Sequence, residues 1–397
     1  MSSVVEEAAR LLLRAGKNVL LIGPPGTGKT TLASTLAKEF TGIEPITATG
    51  SGDVSSSDLL YRLVPGEDGG WRLELGSLAA SVLSSWARVA MMLPPRWLLL
   101  DELNRMNAET ALGPLFSATD IVARPRSPVV PAWLARRVLR DRELLEDVAA
   151  LSDLEPKDAE KALQRVLEAA SSLGIGGLPL PLWWRSIATV NTVDRSHLFS
   201  LGFALLRRFP PLPVPGPLRS PQPQLSLGGN AAERKPSVPW RDACMRAVEE
   251  LSGPPRVLLP EPPILLGAKG LVDSVLQDMA DVFEAARLVV GGLLHTGVDI
   301  GYSQLVDTCK LAIVGYLEQG PDAAALVADT AVASLLLPQL GAAAAAIKTE
   351  MLLHGSSARR ARAQALLRKV VELLGEDSLS AHYAEALSIE LGATLHD

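Results

Sequence analysis

Val19-Leu20-Leu21-Ile22 runs directly into Gly23-Pro24-Pro25-Gly26-Thr27-Gly28-Lys29-Thr30, and that run opens Thr31-Leu32-Ala33-Ser34-Thr35-Leu36-Ala37. An apolar strand, a glycine-rich turn and a helix, in that order, make the G-x-x-x-x-G-K-[ST] pattern in the context it requires. The residue types follow from phosphate chemistry. Gly23, Gly26 and Gly28 let the backbone curl so that its N–H groups point inward at an anion. The helix that begins at the loop aims its positive end at the same anion. Lys29 supplies a full charge to the outer phosphates, and the Thr30 hydroxyl can reach a Mg2+. Pro24, Pro25, Thr27 and Thr31 complete the expected contact set. The stretch implies a nucleoside-triphosphate site.

Composition sets the frame around that loop. A chain of 397 residues fits about two or three domains. Hydrophobic residues make up 48%, enough for sizeable cores. The apolar runs read as too short to cross a bilayer, so no membrane is expected. Met1-Ser2-Ser3-Val4-Val5-Glu6-Glu7 carries acids where a secretory signal carries bases, and a cytoplasmic location is expected. Cys244 and Cys309 are too few for a disulfide framework or a cysteine-rich metal site and read as free buried thiols. A net charge of −6 argues against a protein that coats nucleic acid, though a local basic patch is compatible with it.

Outward from the loop, strands alternate with helices. Residues 4–14 have helical spacing. Glu44 to Ala48 reads as a strand, Ser51 to Ser57 as a loop, and Leu73 to about Val89 as a helix. Arg96-Trp97-Leu98-Leu99-Leu100-Asp101-Glu102 reads as a strand buried on both faces, and Ser186 to Asn191 as another. This alternation predicts an α/β fold, a parallel sheet with helices on both sides. Between the two strands, residues 125–178 read as an inserted group of helices, dispensable for chemistry and available to a client. From Pro210 to Pro239 there are nine prolines, read as a linker over 213–239. Residues 240–397 read as an all-helical domain. Its basic cluster, Arg359, Arg360, Arg362, Arg368 and Lys369, reads as the solvated face of a helix.

Three further elements bear on chemistry. Asp101, at the end of a buried strand, can hold Mg2+, and the adjacent Glu102 can polarise the water that attacks the γ-phosphate. Asn191, at the end of the next strand, can orient that water without adding negative charge. Arg207 and Arg208, in the apolar segment Leu205-Leu206-Arg207-Arg208-Phe209, suit arginine fingers that reach a neighbouring subunit's γ-phosphate.

These residues resemble a known family. Asp101-Glu102-Leu103-Asn104-Arg105 is similar to a D-E-I-N-R acidic motif. Ala188-Thr189-Val190-Asn191-Thr192-Val193-Asp194-Arg195-Ser196 is similar to an A-T-M-N-T-A-D-R-S signature, and Ala204-Leu205-Leu206-Arg207-Arg208-Phe209 to A-L-R-R-R-F. Together they resemble the AAA+ ATPases, in the branch of McrB-like and dynein-related proteins that neighbours the MoxR group. The resemblance spans about residues 15–212. It implies a P-loop NTPase core over 1–212 with a helical lid after it, and a homo-oligomeric ring, usually a hexamer, with nucleotide between subunits. It also implies that Asn191 is sensor 1, that Asp194 and Arg195 support the site, and that Arg207 and Arg208 act in trans. The chain departs from the branch at Ser303, where such lids often carry an arginine, so no sensor 2 residue is assigned.

The expectation is an ATPase that hydrolyses ATP with Mg2+ and remodels a partner protein or nucleoprotein complex. The alternatives are a GTP-driven subunit of a modification-dependent restriction system, which would have a nuclease partner, and a MoxR-like chaperone. ATP is favoured over GTP because no N-K-x-D guanine-reading motif follows a strand. A role for DNA has no support in the sequence.

Overall fold

The computed structural model describes residues 3–66, 69–120, 123–191, 203–215, 222, 224–226, 238–252, 265, 270–354 and 358–392. Along them run β1 Val19–Gly23, β2 Ile46–Thr49, β3 Tyr61–Pro65, β4 Trp71–Leu75, β5 Leu98–Asp101, β6 Val130–Pro131, β7 Gly177–Leu178, β8 Ser186–Asn191 and β9 Pro211–Pro213. Five of these form one sheet in the order β2-β5-β8-β1-β9. The β2–β5, β5–β8 and β1–β9 pairs are all parallel. Parallel neighbours need crossover connections, and the intervening segments supply helices. The parallel α/β core and the helical C-terminal region are as the alternation predicts.

Two strands differ from the sequence reading. Leu73–Leu75, read as the start of a helix, belongs instead to the strand Trp71–Leu75, which pairs antiparallel with Tyr61–Pro65. The helix begins only at Ser77. Residues 71–75 alternate apolar and charged side chains, a period of two, and the helical reading ran too far back across them. Gly76 marks the break, because a Cβ there would lie 2.3 Å from the Asp58 carbonyl oxygen. The second difference is β9, which lies at the start of the proline-rich stretch. Proline cannot donate to a ladder, and β9 occupies the edge of the sheet, where prolines are tolerated.

The chain divides into two compact units. The first comprises Met1–Lys29, Asn191–Ser252 and Ile264–Asp397. Its core is helical, with Leu12, Cys244, Leu311 and Leu336 fully buried beside Leu20 and Leu21 of β1. Lys17 pairs with Asp307, and Lys310 lies 2.6 Å from Glu250 and 3.3 Å from Asp307. Burial pushes the Asp307 carboxyl up, but Lys17 and Lys310 outweigh it and hold the group below the usual carboxylate range. The Sγ atoms of Cys244 and Cys309 are 2.9 Å apart and buried, free thiols as expected. The stretch Tyr302–Thr349 is long and apolar enough by length and composition to cross a membrane, contrary to the expectation. Its most apolar window is 82% buried within the protein, so this unit's own packing takes up that surface. The basic cluster is only partly a solvated face. Arg359 donates to the carbonyls of Thr296 and Gly297, and Arg360 to that of Gly392, whereas Arg362, Arg368 and Lys369 are exposed.

The second unit comprises Thr30–Val190 and Gly253–Pro263. It packs around the helix Ser77–Ala90, which is buried along nearly its whole length. Trp86 donates to the Pro179 carbonyl at 2.6 Å and Trp184 to Ser81 at 2.8 Å. Arg88 is 5% exposed and divides its guanidinium among the carbonyls of Pro94, Ser152 and Thr41. Burial pushes its pKa down. The helices Ala132–Arg140, Arg142–Ser152 and Pro156–Ser172 fall within residues 125–178. The second of them supplies the Ser152 carbonyl to Arg88, and Leu151 supplies one to Arg96. The helix Arg142–Ser152 therefore serves the buried Arg88 and the half-buried Arg96.

Candidate nucleotide site

The phosphate loop belongs to the first unit up to Lys29. β1 is buried throughout and ends at Gly23, where a Cβ would lie 2.2 Å from the Val214 carbonyl oxygen. Only glycine allows that close approach. Gly26 and Gly28 adopt φ of 76° and 78°, the left-handed region that glycine enters without steric cost. Pro24, Pro25 and Gly26 are exposed, and Thr27 closes the turn by donating to the Pro24 carbonyl at 2.9 Å. Lys29 is 4% exposed, and its Nζ donates to the carbonyls of Gly23 at 2.9 Å and Pro24 at 2.6 Å. The ammonium is thus held at the loop's own backbone, where a phosphate would offer it an anionic partner.

The strand-end acids lie in the second unit. The helix Lys29–Thr41 carries Thr30 and Thr31 in its first turn, both exposed. Thr30 Oγ1 donates to Asp101 Oδ1 at 2.9 Å. Asp101 is the last residue of β5, and Thr189 Oγ1, from β8, donates to the same oxygen at 2.6 Å. Glu102 follows with φ 53° and ψ 48°, a left-handed backbone that is uncommon for a residue with a side chain. Its N–H donates to Thr189 Oγ1 at 3.0 Å, and its carboxylate pairs with Arg105 Nε at 2.8 Å. Gly50 packs behind it. A Cβ on Gly50 would lie 2.3 Å from the Glu102 carbonyl oxygen. Such strained backbone concentrates at functional sites.

Sequence reasoning did not assign Thr189, Arg105 or Gly50. Thr189 and Arg105 stood inside the quoted signatures, but their roles depend on who lies beside them across the sheet. Asn191 ends β8, as expected. Asp194 and Arg195 lie outside the described residues. Arg207 and Arg208 end the helix Phe203–Arg208 and diverge. Arg207 is exposed, and its Nη2 donates to Ser303 Oγ at 2.9 Å. Arg208 bonds back to the Ala204 carbonyl at 2.8 Å. Ser303, at the position where a lid arginine was sought, is thus a partner of Arg207.

The donors present suit Mg2+. A hydroxyl and a carboxylate 2.9 Å apart are hard oxygen ligands of the kind that hold Mg2+ with water and substrate phosphates. Among the described residues, no cluster of three or more His, Cys, Asp or Glu side chains offers a softer or more crowded metal site. Thr30 and Asp101 would hold the ion, and it would supply charge to balance the phosphates.

Residues 18–209 match the family model of the AAA domain, dynein-related subfamily. A crystal structure of a candidate ATPase from Cytophaga hutchinsonii ATCC 33406 is similar at 14% identity and a TM-score of 0.33, covering 83% of this chain and 80% of that one. No curated protein matches. The loop, the strand-end acids and the family match agree: residues 18–209 belong to the dynein-related branch of the AAA domains.

Proposed function

We propose that the protein hydrolyses ATP with Mg2+ in a homo-oligomeric ring, a hexamer, and uses the energy to remodel a partner protein or nucleoprotein complex in the cytoplasm. One observation carries the catalytic part: Thr30 and Thr189 both converge on Asp101, with Glu102 next to it. Lys29 neutralises the outer phosphates while Thr30 and Asp101 hold the metal. Glu102 takes a proton from the attacking water, and Asn191 orients that water. Asp194 and Arg195 support the site. Arg207 and Arg208 act on the γ-phosphate of a neighbouring subunit.

In hydrolysis assays with Mg2+, Lys29→Ala should lose nucleotide binding. Glu102→Gln should keep binding and lose turnover. Wild-type turnover by Glu102→Gln would remove Glu102 from this role. Mixing Arg207→Ala with Glu102→Gln subunits should restore some activity, because some interfaces then carry both intact halves. A monomeric mass under nucleotide together with no rescue would overturn the ring. The likeness of Ala188 to Ser196 to the McrB-type signature favours a second reading, a GTP-driven restriction subunit with a nuclease partner. Faster turnover of GTP than ATP would select it.

A further inference from the structure

We infer that Thr189 is a positioning residue for hydrolysis, setting both the Asp101 carboxylate and the backbone of Glu102. The inference rests on the proposed role of Glu102 and extends it to a residue that acts through Asp101 and Glu102.

Three hydrogen bonds carry it. A hydroxyl has one proton to give and lone pairs to receive with. The Thr189 proton goes to Asp101 Oδ1 at 2.6 Å, so the hydroxyl receives the Glu102 N–H at 3.0 Å. The resulting chain runs from the Glu102 N–H through the Thr189 hydroxyl to the Asp101 carboxylate, with Thr30 donating to the same carboxylate oxygen. Thr189 is 1% exposed, so water does not replace this hydroxyl readily. The chain ends on a charge, which makes its bonds stronger than neutral ones. It also meets the N–H of the one residue in the site whose backbone is left-handed without being glycine. A non-glycine residue stays in that conformation only where its surroundings hold it there. Thr189 is one such hold, and a small change in this backbone swings the whole Glu102 side chain. β8 ends two residues later at Asn191, so the same strand that positions Glu102 also carries the proposed sensor.

Thr189→Val keeps the branched shape and removes the hydroxyl. In steady-state ATP hydrolysis it should lower kcat about 10²-fold, the scale of a misplaced catalytic group. KM for ATP should change by no more than about threefold, because the phosphate loop is untouched. Thr189→Ser restores the hydroxyl and should recover most of the lost kcat. In a Glu102→Gln background, Thr189→Val should remove little further turnover, since groups that act as a unit are not additive. Thermal unfolding and nucleotide binding of each variant report on folding. If Thr189→Val does not fold, Thr189→Ala and Thr189→Ser carry the same comparison.

Wild-type kcat in Thr189→Val, or an equal loss in Thr189→Ser, would overturn the inference while leaving Glu102 in place. A fully additive loss in the double variant would show that Thr189 acts independently of Glu102, which also overturns it. Wild-type turnover by Glu102→Gln alone would instead remove the reading on which it rests.

Discussion

Glu102 allows backbone strain to be separated from catalysis in one comparison. Its φ of 53° and ψ of 48° place an L-residue in left-handed geometry. That conformation costs a residue with a Cβ about 1–2 kcal/mol, and glycine almost nothing. Glycine also has more freedom to lose from the unfolded chain, which offsets about 0.4–1 kcal/mol. Glu102→Gly should therefore be more stable than Glu102→Ala by roughly 0.5–1 kcal/mol. Both variants lose the carboxylate and its pairing with Arg105, whose side chain is 64% exposed, so that term cancels between them. Both keep the N–H that meets Thr189. In an ordinary helix the order is reversed, with glycine the less stable by about 0.5–1 kcal/mol. Thermal unfolding reads the difference, at about 2–4 °C per kcal/mol for a domain of 150–250 residues. Both variants should lose hydrolysis by a factor of about 10² or more. The glycine variant is then the more stable and equally inactive protein. If Glu102→Ala is as stable as Glu102→Gly or more so, the left-handed backbone is not strained and the argument fails.

Three other outcomes follow from the packing. The Asp307 carboxyl is held below its unfolded value. It therefore contributes stability above about pH 4, which is lost as pH falls through the folded value. Asp307→Asn should cost on the order of 3 kcal/mol near neutral pH and flatten the acid limb of a denaturant-unfolding profile. Replacing residues 125–178 by a Gly/Ser linker should cost the fold of the second unit, because Arg88 and Arg96 lose the carbonyls of Ser152 and Leu151. A soluble, cooperatively unfolding deletion with basal hydrolysis intact would show the segment to be dispensable after all. Cys244 and Cys309 are both buried, and burial pushes the Cys309 thiol up, so a thiol-reactive dye should label neither in the native protein and both in denaturant. Fast labelling of the native chain would contradict this packing.

The local elements were legible where one physical signal dominated. β8, Ser186–Asn191, coincides with its expected limits because a short run rich in β-branched residues, Ile187 to Val190, bounded by the polar Ser186 and Asn191, reads most simply as a strand. The loop from Gly23 to Thr30 was legible because its chemistry needs those residue types in that order. The hairpin Tyr61–Leu75 was less so. Its second strand is short and adjoins a strong helix, and the helical period masked the alternation. β9 was hidden by its prolines, which signal a linker unless the strand is known to lie at a sheet edge.

By itself, the sequence determined the kinds of chemistry available: a phosphate loop, a strand-end acid pair, and arginines and an asparagine to serve them. Those follow from residue types and spacings within a few turns of chain. The tertiary structure alone decided which groups meet. Residues 88 apart in sequence place the Thr189 hydroxyl on Asp101, and residues 96 apart place Arg207 on Ser303. Only the folded chain shows that Glu102 is left-handed and that Arg88 depends on Ser152. The physical reason is that backbone strain and long-range hydrogen bonds are set by what lies beside a residue in the packed sheet and helices, and sequence order does not record those neighbours.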